Sequence, residues 1–421
     1  MTLENGLPAL AICQPNLHRA LVALYVRVGS RFETEAQNGL SHFLEHMLYR
    51  GTPRLTTAHD VNHAFESLGG YLYASTQVDY AVFSVGVPPE SLERACELFA
   101  DVLSHPTFSD IEIEKGIVQE EILEDLDDDG RQIDADNLSR KLIYPTHPLG
   151  FTITGTEDTV KSFDQKMLRA HHSHHFTAGA SVLVFGGNVA EKRAFSLAEK
   201  YFSSFPKGDR PITTPPATAQ KKPRLHILDN SSSQTELRVS FRAIAEDAPD
   251  RPAMDMLMRL IDDGMSSRLY HRICDARGLC YDVTAGYDGY EDDGIVDFAA
   301  GVLHARTSRV TREMLELMRE LANEGPTEEE LAMVRRRHAW EMQSLADSPE
   351  DAAGFFGHGV LFGRSPTVSQ SIDKLAKVTK EDVMALVKKL CEPNRLNVIA
   401  VGLLEKDEEK RLTDVVMNWG K

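Results

Sequence analysis

The chain has 421 residues, enough for two or more domains with ample cores. Its formal net charge of −18 argues against nucleic acid and anionic membrane surfaces as partners, since both repel a polyanion. No apolar run is long enough to span a bilayer, and the five cysteines, odd in number and without C-x-x-C spacing, read as reduced, mostly buried thiols.

The first residues, Met1 to Gly6, are polar and lead into a strand-like run, so no signal peptide is expected and the reading places the chain in the cytoplasm. Residues 21–28 alternate with period two and predict a strand. Between Asn38, a fair N-cap, and Gly51, a fair stop, a helix is predicted. Leu40, Phe43, Leu44, Met47 and Leu48 make one apolar stripe, and His42, Glu45, His46 and Tyr49 fall on the other face. Two imidazoles four residues apart point the same way and can share one Zn2+, while the carboxylate between them can reach a water on the metal. This H-x-x-E-H is the zinc-peptidase helix read backwards, the inverzincin arrangement.

Residues 70–87 read as a strand pair, and a second helical pattern begins near Ser109 and Asp110 and runs to Glu124. On it Glu114 and Glu121, seven residues apart, share a face. Acid-rich faces of this kind are ordinarily just solvated, so the pattern alone marks neither glutamate. The acidic run 124–129 reads as a solvated helix end or loop, because the glycine and terminal glutamate of an EF-hand calcium loop are missing. Residues 163–170 predict a helix ending before the cluster His171, His172, His174 and His175; metal binding there competes with the simpler reading, histidines favourable at a helix C-terminus. Residues 181–186 close the half with a strand and a glycine.

A Pro/Thr/Lys-rich segment, 206–223, is the linker between residues 1–205 and 224–421. The second half repeats the plan: a strand at 235–241, a helix at 253–261, a strand pair within 281–302, long helices, and a closing strand at 397–402. The fold class is therefore α+β, a duplicated unit in which each half is an antiparallel-rich sheet covered on one side by helices. The second half has no H-x-x-E-H, so only the first can carry metal this way.

The run from Asn38 to Thr52 resembles the signature of the pitrilysin/insulinase family of zinc peptidases, closest to the short-subunit branch that includes mitochondrial processing peptidase and its bacterial relatives. The resemblance covers nearly the whole chain. It implies a third metal ligand inside an E-x6-E pattern downstream, which makes Glu121 the ligand, with Glu120 and Glu124 as neighbours to be told apart from it, and Glu114 an acid that orients a ligating histidine. With His42, His46 and Glu121 on Zn2+, Glu45 is the expected general base and then acid. The resemblance also implies that an extended peptide adds to a strand edge at residues 69–76, where Tyr73, Ala74 and Ser75 make the contacts; family members often carry Asn where this chain has Tyr73.

Family members active without a different partner carry an Arg and a Tyr seven residues apart in the second half, anchoring substrate and stabilising the tetrahedral intermediate. Tyr281 stands at the tyrosine position, but Cys274 replaces the arginine. Arg272 and Arg277 lie close by and read as a surface charge and a turn contact. The expectation is a dimer closing as a clamshell around its substrate: a heterodimer with a family-fold chain that lacks H-x-x-E-H and carries the Arg/Tyr pair, or a homodimer in which Arg272 or Arg277 substitutes. The expected activity is a zinc endopeptidase acting on peptides or small unfolded proteins; the other classes are a non-catalytic subunit of a family-fold assembly and a maturase that removes leader segments.

Overall fold

The computed structural model describes residues 1–217, 219–364 and 367–420, so Thr218 of the linker lies outside the described residues. The first sheet is built from β1 (Ala9–Cys13), β2 (Ala20–Val26), β3 (Tyr71–Thr76), β4 (Ala81–Val87) and β5 (Ser181–Gly187), in the order β1-β5-β2-β4-β3. The second contains β6 (Arg224–Leu228), β7 (Thr235–Arg242), β8 (Cys280–Gly289), β9 (Gly294–Val302) and β10 (Leu396–Val401), in the order β6-β10-β7-β9-β8. The topologies are the same. In each, one outer pairing is parallel, β1 with β5 and β6 with β10, and the others are antiparallel.

Central β2 is buried on both faces along its whole length, which is why its sequence is uniformly apolar. The helix Leu92–Ser104 packs on β2 and β4. The motif helix, Leu40–Leu48, buries Leu40, Phe43, Leu44, Met47 and Leu48 completely, with the Phe43 ring 5.6 Å from that of Phe163.

The compact units are not contiguous halves. One comprises Met1–Glu124, Phe151–Thr213 and Gln343–Pro366; the other comprises Asp125–Gly150, Thr214–Met342 and Thr367–Lys421. Each sheet therefore has a second face covered by a segment from the other half of the sequence. On the first sheet Ala353, Leu361 and Phe362 pack against Leu21, Ala23, Tyr25, Val182 and Val184. Gly357 is needed there, since a Cβ would stand 2.6 Å from the Tyr25 ring. On the second sheet the helix Ala135–Ile143 packs Ala135, Leu138 and Leu142 against Ile399, Val401 and Leu228. Its Ser139 hydroxyl bonds that of Ser240 at 2.7 Å. The exchanged pieces are short and amphipathic, and nothing in their local pattern says which sheet they cover.

Candidate metal centre

The motif helix starts differently from expectation. Asn38 is not its cap: Gly39 takes that position in the left-handed region, φ 93°, where a Cβ would meet the Thr154 carbonyl at 2.5 Å. The orphan amides are satisfied by the buried carboxylate of Glu33, which accepts from Gly39 N at 2.8 Å and from Ser41 N at 2.7 Å. Asn38 turns its amide to Glu33 and to the Thr152 carbonyl. Burial raises the Glu33 carboxyl pKa against the pull of these hydrogen bonds. Glu33 lies on the preceding turn, and no short-range motif marks it.

Within the helix His42 and His46 bring their Nε2 atoms to 3.3 Å. The helix Ile111–Glu124 lies alongside and delivers Glu121, whose carboxylate oxygens are 3.6 Å from His42 Nε2 and 3.8 Å from His46 Nε2. His42, His46 and Glu121 form the one group among the described residues with donor atoms converging at metal-binding distances, all within 4.8 Å of one another. Glu120 and Glu124 are exposed and stand outside this group. Two turns up the same helix, Glu114 bonds His46 Nδ1 at 2.8 Å and forms an ion pair with Arg50 through its other oxygen.

Electrostatics divide the labour. Burial, then the neighbouring His46, pushes His42 down to about 3, so its imidazole is neutral and its Nε2 lone pair is available. His46 also pays for burial, but the hydrogen bond and charge of Glu114 outweigh it and raise its pKa. The Glu114 carboxyl is held below the usual range: burial opposes its charge, and bonds from His46 and Arg50 prevail. With Nδ1 committed to Glu114, His46 turns Nε2 to the group, as a zinc-ligating histidine requires. The His42 Nδ1 is buried without a hydrogen-bond partner among the described residues. Two imidazole nitrogens and a carboxylate converging in this way fit Zn2+, which takes three such ligands in catalytic sites.

Glu45 projects from the same helix and accepts the hydroxyl of Thr76 at 2.5 Å. Burial raises its pKa against the pull of the Thr76 hydrogen bond. Thr76 ends β3, an edge strand, so the acid is tied directly to the strand whose outer edge carries no partner among the described residues. Tyr73 is 52 % exposed on β3, and Ala74 and Ser75 are half-buried.

Tyr281 belongs to the second unit, at the start of β8, and is 93 % exposed. Cys274 lies in the short helical turn His271–Asp275 with its Sγ 3.8 Å from that of Cys280. Arg272 is paired with Glu313 and Glu320, and Arg277 with Glu313, so each guanidinium is already engaged. The histidine cluster is structural. The helix there is Gln165–His175, longer than expected, with His171 and His175 buried and His174 exposed. His171 bonds Ser41, His172 the Leu103 carbonyl and His175 the Arg27 carbonyl, all within 2.9 Å. Sequence reasoning passed over three residues that shape the site: Glu33, Arg50 and Thr76. Only Arg50 left a signal, four residues after His46, in the turn that follows the helix.

The H-x-x-E-H helix and its converging glutamate stand in the first of two units built on the same sheet topology. Residues 9–157 match the family model described as Insulinase (Peptidase family M16), and residues 162–337 match Peptidase M16 inactive domain. The chain belongs to this M16 family of zinc metallopeptidases. It is 28 % identical over 398 residues to an uncharacterized zinc protease of Bacillus subtilis, YmxG, covering 92 % of this chain and 94 % of that one. It is also 28 % identical over 395 residues to an uncharacterized zinc protease of Mycobacterium tuberculosis, covering 92 % and 90 %. In fold it resembles a protease from Helicobacter pylori, TM-score 0.88 at 20 % identity, covering 96 % of this chain and 98 % of that one. A peptidase M16 inactive domain from Pseudomonas fluorescens gives TM-score 0.88 at 21 % identity, with the same coverage. Among the described residues no helix is long and apolar enough to cross a membrane.

Proposed function

We propose that the chain is a zinc-dependent endopeptidase that hydrolyses peptides or small unfolded proteins. The observation that carries this is the convergence of His42, His46 and Glu121 beside the half-buried Glu45, whose carboxylate accepts the Thr76 hydroxyl. These three residues would hold Zn2+, which supplies a Lewis acid able to polarise a carbonyl and acidify water. Glu114 fixes the His46 tautomer, and Arg50 holds Glu114 in place. Glu45 takes the proton of the attacking water on one carboxylate oxygen and returns it to the leaving amine, while Thr76 steadies the other oxygen. The peptide lies extended along β3 past Tyr73, Ala74 and Ser75, making main-chain hydrogen bonds to the open edge. Five cysteines with no disulfide among them support a reducing compartment, the cytoplasm.

The working form we propose is a heterodimer closing as a clamshell. The partner is a family-fold chain without H-x-x-E-H that carries the Arg/Tyr pair, because Cys274 removes the arginine here and Arg272 and Arg277 are held in ion pairs. Tyr281 would then be one half of an incomplete anchoring site. A second reading, a processing subunit that removes leader segments within such a two-chain assembly, is favoured by the same replacement. The test of the leading reading is hydrolysis of a quenched peptide library by chain and partner before chelation, after it, and after return of zinc. Activity that follows the metal supports it; activity that survives chelation overturns it.

A further inference from the structure

On the face of the first sheet that Thr76 and Glu45 do not occupy lies a cavity of about 300 Å3, beside the open edge. Its floor is set by cross-strand neighbours. Tyr71 pairs with Gly86 and Gly86 with Leu21; Tyr73 pairs with Ser84 and Ser84 with Ala23. Glycine, serine and alanine in the middle of a sheet face leave depth that larger side chains would fill. A Cβ on Gly86 would stand 3.1 Å from Arg19 Cδ and 3.3 Å from Glu350 Oε1, so the rim closes directly over that glycine. The far rim carries the Arg19–Glu350 ion pair at 2.6 Å and the exposed Asp351, which has no ion-pair partner among the described residues. The near rim is Tyr71 and Tyr73, 62 % and 52 % exposed on the edge strand.

The register says what can enter. Side chains of a peptide added to β3 alternate between the two faces of the sheet. A residue opposite Tyr73 has its side chain on the face of Tyr73, while its neighbours point to the face of Thr76 and Glu45. Resting on the strand-addition reading above, we propose that this cavity is a specificity subsite for a basic side chain, lysine or arginine, at the peptide position opposite Tyr73. The aliphatic stem lies along Leu21 and Ala23, and the cation meets the tyrosine faces and the Asp351 carboxylate. Two carboxylates against one guanidinium on the rim repel an acidic side chain and favour a basic one.

The test separates recognition from turnover by using the Glu45→Gln chain loaded with zinc, with its partner present. Fluorescein-labelled decapeptides of alternating Thr and Ala carry a single Lys, norleucine or Glu scanned through each position, and Kd is read by anisotropy. At one position Lys should bind at least tenfold tighter than Glu, with norleucine between. Asp351→Lys should bring that ratio below twofold, and Asp351→Asn, which keeps the side chain's size, should give an intermediate ratio. Lys, norleucine and Glu within twofold at every position would overturn the subsite, as would a preference that survives both substitutions. Binding without selection leaves the peptidase reading standing. That reading fails separately if the zinc-loaded wild-type chain, with its partner, cleaves none of these peptides while anisotropy still reports the selection.

Discussion

Replacing Glu114 by Gln isolates the contribution of one buried negative charge to the metal centre. The carboxylate now takes the His46 Nδ1 proton bond at 2.8 Å and neutralises Arg50, with its side chain only 6 % exposed. Glutamine keeps the volume and can still accept from His46 through its amide oxygen, but it withdraws the charge that makes His46 a better donor to metal. Loss of such a supporting carboxylate costs about 10- to 100-fold in metal affinity, or roughly 1.4 to 2.7 kcal/mol. Arg50 is left without its counter-charge, and an unpaired, largely buried charged donor costs a further ~1 to 3 kcal/mol of folding stability. Competition with a chromophoric zinc chelator at pH 7.5 reads the first effect, and urea denaturation of the metal-free chain reads the second. A zinc Kd within twofold of wild type would refute the idea that Glu114 tunes His46, whatever happens to stability.

Glu121→Gln should lower zinc occupancy and activity together, whereas Glu120→Gln should leave both unchanged; the reverse pattern in metal analysis would mean that the neighbouring glutamate is the ligand. Burial, countered in part by the Arg27 carbonyl and reinforced by His174, lowers His175 to about 4, so the folded chain refuses a proton that the unfolded chain accepts near 6.5. Its stabilising contribution is therefore complete above 6.5 and falls away as pH drops toward 4, by about 2 kcal/mol at pH 5. Urea titrations at pH 7.5 and 5 should show His175→Gln losing that much less than wild type, and equal losses would contradict the assignment. Mixing the chain with a family-fold partner carrying the Arg/Tyr pair should raise the peptidase rate at least tenfold, as expected when a missing transition-state donor is restored. Full activity of a homodimer alone would sink the heterodimer.

Much of the fold is legible because its signals are local. The unbroken apolar run of β2, where period-two alternation was expected, the alternation that opens β7 and the apolar stripe of the motif helix each follow from a few adjacent residues. The donors His42, His46 and Glu121 were legible too, since helical spacing aligns the first two and a family resemblance singles out the third. What stayed hidden depends on contacts distant in sequence. The helix cap comes from Glu33, whose role needs the intervening turn to fold back, so Asn38 looked the better cap. The exchanged segments that cover each sheet's second face carry no mark of their destination. The histidine cluster looked like a possible ligand set until its hydrogen bonds to Ser41, Leu103 and Arg27 accounted for three of its rings.

The most direct measurement is a zinc titration of metal-free wild-type and Glu45→Gln chains side by side, each with partner present, following bound metal and cleavage of a quenched peptide together. Both chains should saturate at one zinc each with the same affinity within about threefold, since Glu45 is not a ligand. The wild-type rate should rise in step with occupancy and plateau with it, while Glu45→Gln stays below a few per cent of that rate. Comparable turnover in the two chains, or zinc that saturates the wild type without any cleavage, would contradict the account.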